Sequence, residues 1–150
     1  MKEIDILSGT KDAILKNKKH AMRVIIDPQP EKKEFSTKLT NMEDGKEGAL
    51  FTDVHAHPVD GQAVFPDVKQ GDILFFYHEG DRVYIQVTSV HPERLWDMDE
   101  QRAIEEGFES DDDSSALSKF VGLWDFMFEN TEANPWLWVV KFQKIRITKE

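Results

Sequence analysis

The chain has 150 residues, of which 39% are apolar and 32% are charged, and its formal net charge is −10. This length and composition predict one globular domain with its own core, and the absence of cysteine excludes disulfides, thiol catalysis and cysteine-rich zinc sites. The negative charge disfavours broad, non-specific affinity for nucleic acid. The sequence contains neither an apolar run that could span a bilayer nor a signal-peptide pattern, so we expect a cytoplasmic protein without a membrane partner.

The charge is distributed unevenly along the chain. Positions 11–33 carry seven basic and three acidic residues, a balance of +4, whereas positions 97–113 carry nine acidic residues and one arginine, a balance of −8. Within the basic segment, four cations and one histidine fall in eight residues: Lys16, Lys18, Lys19, His20 and Arg23. This stretch lies where a helix is predicted to lead into a strand, and rigid elements at such a junction can hold long side chains around a ligand. It is therefore the first candidate for a binding site.

The N-terminal third predicts the order β-α-β. Residues 3–7 alternate weakly in hydropathy and indicate a short strand, and residues 10–17 indicate a helix for which Ser8 is a suitable N-cap. Asn17 tolerates the left-handed conformation and can end that helix. The β-branched residues at positions 22–26 favour a buried strand, which the prolines at positions 28 and 30 terminate.

Residues 31–66 contain short apolar segments between polar turns, from which we expect two or three short strands on long loops. The pattern is clearer in the residues that follow. Residues 73–77 and 83–87 are predicted to pair as a β-hairpin, because the second run alternates apolar and polar side chains and Glu79-Gly80-Asp81 suits the turn between them.

The C-terminal third predicts two helices and a strand. Asp97 or Asp99 is expected to cap a short helix that runs through Glu106, and Gly107 fits the C′ position after it. Ser114 or Ser115 is expected to cap a longer helix, whose apolar positions follow the helical period: Leu117, Phe120, Val121, Trp124 and Phe128. The last strand follows residue 135, and a change of phase predicts a β-bulge near residues 143–144. This order predicts an α+β fold in which about three helices pack on a small mixed β-barrel or curled sheet.

Five segments of the chain carry a further pattern. Residues 13–23 read AILKNKKHAMR, residues 71–74 read GDIL, and residues 94–108 read RLWDMDEQRAIEEGF. Residues 120–125 read FVGLWD, and residues 134–142 read NPWLWVVKF. Together they resemble the ILxGxKTxTxR signature and the GDxL, LxDISEEDAIAEGF and LWDSI…NPWVWVIEF segments of ASCH domains in the PUA-like superfamily, especially phage and prophage members. The resemblance implies a single domain over residues 1–150, a PUA-like β-barrel with helices packed on it, and a β insertion at about residues 31–66.

The ASCH family is regarded as binding RNA or nucleotides, so the resemblance implies an RNA, nucleoside or nucleotide partner. Small bacterial members hydrolyse the amide of N4-acetylcytidine with a lysine and a threonine of the signature and a glutamate after the hairpin. In this chain the lysine falls on Lys19 and the glutamate on Glu106. The threonine falls on Met22, whose thioether cannot serve as a hydroxyl nucleophile. We therefore expect a binding domain that has no catalytic activity and no cofactor.

Two alternatives stay open. The first is an amidohydrolase that acts on an N4-acylated cytidine nucleoside, in which Glu106 activates water and Lys19 polarises the carbonyl group. The second is an accessory protein-interaction module of the phage type, for which the segment at 31–66 and the acidic loop at 109–115 would supply the surface.

The binding hypothesis names residues for two roles. Three cations would contact the anionic groups of the ligand: Lys18, Lys19 and Arg23. Tyr77 or Trp96 would stack on its base, and His20 is a further candidate ligand residue. The plainer alternatives are a solvated lysine for Lys19, an ion pair with the acidic segment 97–113 for Arg23, and an exposed carboxylate for Glu106. Trp124 and Trp138 lie on apolar faces and are expected in the core.

His55 and His57 have the spacing of two metal ligands on one face of a strand. A catalytic zinc ion needs a third protein ligand, and neither Asp53 nor Asp60 stands at a spacing that identifies it as one. We therefore predict no metal site.

Overall fold

A computed structural model describes residues 1–7, 9–32, 34–53 and 61–149 of the chain. These residues form three α-helices and eight strands. The strands are β1 (Lys2–Glu3), β2 (Ala21–Ile25), β3 (Glu34–Thr40), β4 (Glu47–Thr52), β5 (Gln62–Val64), β6 (Ile73–His78), β7 (Asp81–Arg94) and β8 (Trp136–Thr148). The helices are α1 (Lys11–Leu15), α2 (Glu100–Glu105) and α3 (Ala116–Phe128), and short 3-10 helices cover Leu95–Asp97 and Thr131–Ala133. The predicted α+β class is therefore confirmed.

Five strands form the main sheet in the order β1-β6-β7-β8-β2. β1 runs parallel to β6, and every other neighbouring pair in this sheet is antiparallel. The predicted hairpin is confirmed as β6 and β7, and its turn residues Glu79 and Gly80 have positive φ angles of 52° and 84°, as a tight hairpin turn requires. β7 extends to Arg94, further than the alternation predicts, because it pairs with β8 along most of its length.

The predicted bulge in β8 is also confirmed. Lys144 pairs with Ile85 and Arg146 pairs with Tyr84, so Ile145 has no partner of its own in the ladder. The extra residue changes the phase of the strand. As a result, Arg146 and Tyr84 share the face of the sheet that points away from the main core.

Strands β1 and β2 are the two edges of the main sheet, and within the described residues no ladder joins them. The predicted closed barrel is therefore wrong, and the sheet stays open along a seam between β1 and β2. β1 has only two residues, which is too short to cover a neighbouring edge. The predicted buried strand is confirmed for Met22 and Arg23. It is wrong for Val24, which is 48% exposed at the open edge.

Residues 31–66 contain β3, β4 and β5, which form a separate antiparallel sheet. The number of strands agrees with the sequence prediction, whereas the status of this segment as an insertion stays a prediction. β4 packs Ala49 and Phe51 into the main core, where both side chains are fully buried. The second sheet therefore covers one face of the main sheet.

The main sheet separates two apolar clusters. The first lies between the two sheets and includes Ile14 of α1 and Trp138, and the second lies under α2 and α3 and includes Trp124. Both tryptophans that were predicted to be core residues are buried. Two predicted N-caps are confirmed, at Asp99 and Ser115, whose side chains accept hydrogen bonds from the main-chain N–H groups of residues 102 and 118. The third, Ser8, lies outside the described residues and is wrong, because the N-cap position of α1 is Thr10. No helix within the described residues has the length and apolar character needed to cross a membrane.

Candidate functional site

Lys19 lies at the centre of the candidate site, because the chain turns inward after α1. Asn17 has a φ of 58°, the left-handed conformation predicted for the end of this helix, and the main-chain N–H of Lys19 donates to the carbonyl of Ala13. The Lys19 side chain passes beside Gly107, where an added Cβ atom would lie 3.1 Å from the Cβ of Lys19. Gly107 has a φ of 102° and follows the end of α2 as predicted, so the ends of the two helices pack directly on each other.

Lys19, Arg23 and Glu106 form a buried ion cluster. The Lys19 Nζ donates to the main-chain carbonyl of Glu106 at 2.7 Å and to Glu106 Oε1 at 3.0 Å. The Arg23 Nη1 donates to Glu106 Oε2 at 2.9 Å. All three side chains are at most 1% exposed. Two of the plainer alternatives are therefore wrong, since Lys19 is not solvated and Glu106 is not exposed, whereas the pairing of Arg23 with the acidic segment is confirmed.

One carboxylate in this cluster lies between two cations. Burial lowers the pKa of the Lys19 amine, while the charge of Glu106 and its hydrogen bond oppose that change. The neighbouring charge of Arg23 lowers the pKa of Lys19 further. Because a guanidinium group does not lose its proton in proteins, Lys19 is the cation of this cluster that can become neutral. A neutral amine is the form in which a lysine can act as a base.

A second set of polar residues extends the buried ion cluster along β7 towards α2. Glu93 accepts a hydrogen bond from Arg102 Nε at 3.0 Å, lies 3.5 Å from Arg23 Nη2, and contacts His91 Nε2 at 2.6 Å. Burial raises the pKa of Glu93, but the hydrogen bond with His91 and the charges of Arg23 and Arg102 outweigh burial and hold the pKa at about 2. Sequence reasoning missed Glu93 and His91. The sequence feature that could have identified them is their spacing, because two polar residues two positions apart on a strand point to the same face of the sheet.

The buried ion cluster is closed to solvent, but a cleft with two lobes opens beside it. The first lobe has a volume of about 430 Å³, includes Arg23 and Glu106 among its lining residues, and has apolar walls: Leu7, Ile25, Met127 and Phe128. The second lobe has a volume of about 490 Å³ and lies between β1 and β2, over Trp138 and Val140. The lobes share several residues of β2, and we call them together the seam cleft.

Acidic residues outnumber basic residues around the seam cleft. Five carboxylates and two cations line it: Glu3, Asp5, Asp27, Asp67 and Glu106 against Lys2 and Arg23. The balance is therefore −3, and Arg23 is already paired with Glu106. A cleft of this charge disfavours a phosphate group, and it favours a neutral or cationic ligand with apolar surface.

The other predicted ligand residues do not join the buried ion cluster. Lys18 is exposed and pairs with Glu109 at 2.5 Å. His20 is exposed, although its main chain bonds to α2 and β8. Trp96 is 64% exposed and its Nε1 donates to a main-chain carbonyl of the last 3-10 helix. Tyr77 lies on β6 next to the hairpin turn. Of the predicted ligand residues, the structure brings only Lys19 and Arg23 together with Glu106.

Tyr77 belongs to a different cluster, which we call the Arg–aromatic platform and which consists of Phe75, Tyr77, Arg82, Tyr84 and Arg146. The Arg82 guanidinium lies 4.6 Å from the centre of the Phe75 ring and 5.3 Å from that of Tyr77, and the Arg146 guanidinium lies 4.5 Å from that of Tyr84. The centre of the Phe75 ring is 5.8 Å from that of Tyr77 and 6.1 Å from that of Tyr84. Sequence reasoning identified only Tyr77, because the members come from three strands whose register was unknown.

The surroundings of the Arg–aromatic platform are basic, in contrast to the protein as a whole. Four bases and three acids lie in or around it: Arg82, Arg146, Lys11 and Lys149 against Glu3, Glu79 and Asp81, a balance of +1. Hydrogen bonds to the hydroxyl groups of Tyr84 and Tyr77 raise the pKa of Arg82. The guanidinium of Arg82 is therefore held charged and close to the rings.

His55 and His57, the pair considered as metal ligands, lie outside the described residues, so the absence of a metal site there stays a prediction. Among residues 1–7, 9–32, 34–53 and 61–149, no three side chains of histidine, aspartate or glutamate form a group that could hold a metal ion.

No protein-family model, curated protein or solved structure matches this chain. The likeness to ASCH domains therefore rests on the five sequence segments alone, and what it implies about function stays a prediction. The geometry of the buried ion cluster, the seam cleft and the Arg–aromatic platform is the remaining guide to function.

Proposed function

We propose that the protein binds single-stranded RNA on the Arg–aromatic platform and leaves the RNA chemically unchanged. The observation that carries this proposal is the layer of aromatic rings and guanidinium groups on one sheet face, at which Tyr77 and Arg146 are exposed. Bases of single-stranded RNA stack on aromatic rings and on guanidinium planes. Arg146 and Lys149 are exposed at the rim of this layer, and they would contact the phosphate groups.

The proposal keeps the RNA- or nucleotide-binding role that the resemblance to ASCH domains implies, but it moves that role away from residues 16–23. Two observations support the move. Lys19 and Arg23 are buried and paired with Glu106, and the seam cleft beside them carries more acidic than basic groups. As part of the same proposal, the protein is cytoplasmic, and its open sheet is related to the PUA-like barrel.

The expected affinity is modest. Stacking of one base on an aromatic side chain contributes about 1–3 kcal/mol, which is about a five- to 150-fold change in affinity. The cations of the platform can neutralise about two or three phosphates, so log K should fall with log salt at a slope of about −2. The net charge of −10 works against wider contact with the RNA backbone.

The test is fluorescence anisotropy with a labelled single-stranded RNA of about twelve nucleotides, at about 50 and 200 mM salt. We expect Tyr77→Ala to weaken binding about five- to 150-fold, and Arg146→Ala to reduce the salt slope by about 0.7. The matched control is Phe126→Ala, which removes an aromatic ring that is 83% exposed on α3, outside the platform. Equal binding by the Tyr77→Ala variant and the wild type, or no binding by the wild type, would refute the proposal.

A second candidate function is hydrolysis of the amide of an N4-acylated cytidine nucleoside. One observation favours it, since Lys19 Nζ, which would polarise the carbonyl, lies 3.0 Å from Glu106 Oε1, which would activate water, in a buried setting. Against it, Met22 belongs to the main core on the opposite side of β2 from Arg23, so the position of the family's threonine supplies no nucleophile. A substrate in the seam cleft would also have to open the buried ion cluster.

An assay of N4-acetylcytidine deacetylation tests this second candidate. In the reaction considered, Glu106 takes a proton from water, which attacks the acetyl carbonyl while Lys19 polarises the carbonyl oxygen. Glu106 then returns the proton to N4 as the C–N bond breaks, and cytidine and acetate are released. Acetate release that Lys19→Met and Glu106→Gln both abolish would support the candidate. If the wild type shows no turnover, the protein does not have this activity. If turnover survives Glu106→Gln, the mechanism with Glu106 as the base is wrong.

A further inference from the structure

The free edge of β2 presents main-chain hydrogen-bonding groups to the seam cleft. At the two ends of the β2–β8 ladder, the carbonyl of His20 accepts a hydrogen bond from β8 at 2.9 Å and the N–H of Ile26 donates to β8 at 3.2 Å. In an antiparallel ladder, every second residue points its N–H and C=O groups away from the partner strand. Arg23 and Ile25 therefore direct theirs to the open edge, and no hydrogen bond among the described residues satisfies them.

The seam cleft has one lobe on each face of this edge. Side chains alternate along β2, so that Met22 and Val24 face the lobe over Trp138, and Arg23 and Ile25 face the lobe beside α3. A strand that paired with β2 would direct its successive side chains into the two lobes in turn. A compact ligand would fill one lobe only, whereas an extended chain would use both lobes and the main-chain groups between them.

Apolar side chains at the seam cleft are partly exposed. Val24 is 48%, Met127 is 43% and Phe128 is 39% exposed. Val24 lines both lobes, and Met127 and Phe128 line the lobe beside α3. An exposed apolar rim next to a free strand edge promotes association with other chains unless it is covered. Within the described part of the chain, no strand covers this edge. The surface therefore combines the two features of a strand-addition site, free main-chain groups and pockets for alternate side chains.

We propose that the seam cleft binds an extended peptide segment of a partner protein, which adds to β2 as a further strand of the main sheet. Charge selects the peptide, because five carboxylates and two cations line the cleft. The segment should therefore carry lysine or arginine on both sides of a short run of alternating apolar residues. β2 has five residues, which sets the length of the paired run. This proposal is independent of RNA binding, which uses the Arg–aromatic platform.

A second copy of this chain is a poorer occupant of the same edge. Two copies paired through β2 would bring their Asp5 and Asp27 side chains into one cleft, because both residues line it. Like charges placed close together repel. The same carboxylates disfavour an RNA strand at this position.

The test is isothermal titration calorimetry with the synthetic peptide KKVTVTVKK. Two peptides serve as matched controls: KKVTPTVKK, whose central proline has no N–H and interrupts the strand, and EEVTVTVEE, which reverses the flanking charge. We expect KKVTVTVKK to bind with one-to-one stoichiometry, and we expect each control peptide to bind about tenfold or more weakly.

Two protein variants probe the edge without changing the Arg–aromatic platform. Ile25→Pro removes an N–H group that points away from β8, so it keeps the ladder and deletes a hydrogen bond to the peptide. Val24→Lys places a cation at the exposed mouth of the cleft and keeps the proposal testable if Ile25→Pro fails to fold. We expect either variant to bind KKVTVTVKK about tenfold or more weakly than the wild type, with thermal unfolding as the check on folding.

Binding of KKVTVTVKK that the control peptides and the variants all reduce would support strand addition. Equal binding of KKVTPTVKK, no binding of KKVTVTVKK, or a wild-type dimer that Val24→Lys dissociates would overturn it. The Val24→Lys variant should bind RNA as the wild type does, so loss of RNA binding on Tyr77→Ala is a separate result that concerns the platform alone.

Discussion

Glu106→Gln should destabilise the protein strongly, because it removes a carboxylate that contacts two buried cations. The carboxylate oxygens lie 3.0 Å from Lys19 Nζ and 2.9 Å from Arg23 Nη1, and all three side chains are at most 1% exposed. Removal of one partner from a buried ion pair costs about 3–5 kcal/mol, since the remaining charge is left buried without compensation. A loss of this size is a large part of the about 5–15 kcal/mol by which domains are stable.

The loss should depend on pH in a defined direction. Burial lowers the pKa of Lys19 in the folded protein below its ordinary value of 10.5, and the charge of Glu106 opposes this lowering. Glu106→Gln removes the opposing charge, so the folded pKa falls further. Between the folded and the unfolded pKa the unfolded chain binds more protons, and the free energy of unfolding therefore rises with pH. For the variant we expect a rise of up to about 1.4 kcal/mol per pH unit within this window.

Urea unfolding followed by tryptophan fluorescence, at several pH values above neutrality, measures both effects. The matched control is Glu109→Gln, which removes the carboxylate paired with Lys18 at the surface, where the two side chains are 63% and 53% exposed. An exposed ion pair contributes little to stability, because water and salt screen the two charges. The reasoning is refuted if Glu106→Gln costs no more than Glu109→Gln, or if the stability of the Glu106→Gln variant falls as the pH rises.

Three further predictions concern residues beside the buried ion cluster and the N-cap of α3. Gly107→Ala should cost about 1–3 kcal/mol, because φ is 102° and the added methyl group would lie 3.1 Å from the Lys19 Cβ; an unchanged urea midpoint would contradict this close packing. The pKa of Glu93 is about 2 in the folded protein, against an ordinary value of 4.5. The ionised carboxylate therefore stabilises the fold above pH 4.5, and this stabilisation is lost as the pH falls towards 2. Glu93→Gln should remove that contribution, so identical acid unfolding profiles would contradict the assignment. Ser115→Ala should cost about 1 kcal/mol in thermal unfolding, because it removes the N-cap of α3; Ser114→Ala is the control, and equal losses would argue against the cap.

Features that depend on neighbouring residues were predicted well. The hairpin turn follows from Gly80 and the left-handed conformation of Asn17 from asparagine, because both residue types tolerate positive φ angles. The caps at Asp99 and Ser115 follow from side chains that accept hydrogen bonds from the next turn of the helix. Each of these features is decided within a few positions of the chain, which is why the sequence was sufficient to locate them.

The candidate site was predicted only in part. Lys19 and Glu106 are 87 positions apart, and the resemblance to ASCH domains, rather than any periodicity, selected both. The resemblance did not indicate that Glu106 would take up the charges of Lys19 and Arg23 and close the cluster to solvent. The Arg–aromatic platform was missed apart from Tyr77, because its members are adjacent only through the register of β6, β7 and β8.

By itself, the sequence determined the α+β composition, the order of the elements, their turns and caps, and the excess of acidic charge. Only the tertiary structure decided that the main sheet stays open between β1 and β2. It also decided that Lys19 and Arg23 point inward and pair with Glu106. Finally, it decided that the aromatic rings and guanidinium groups of the Arg–aromatic platform lie together beside the hairpin turn. The physical reason is distance along the chain. Turns and caps depend on hydrogen bonds between near neighbours, whereas burial and charge pairing depend on groups that only the folded chain brings together.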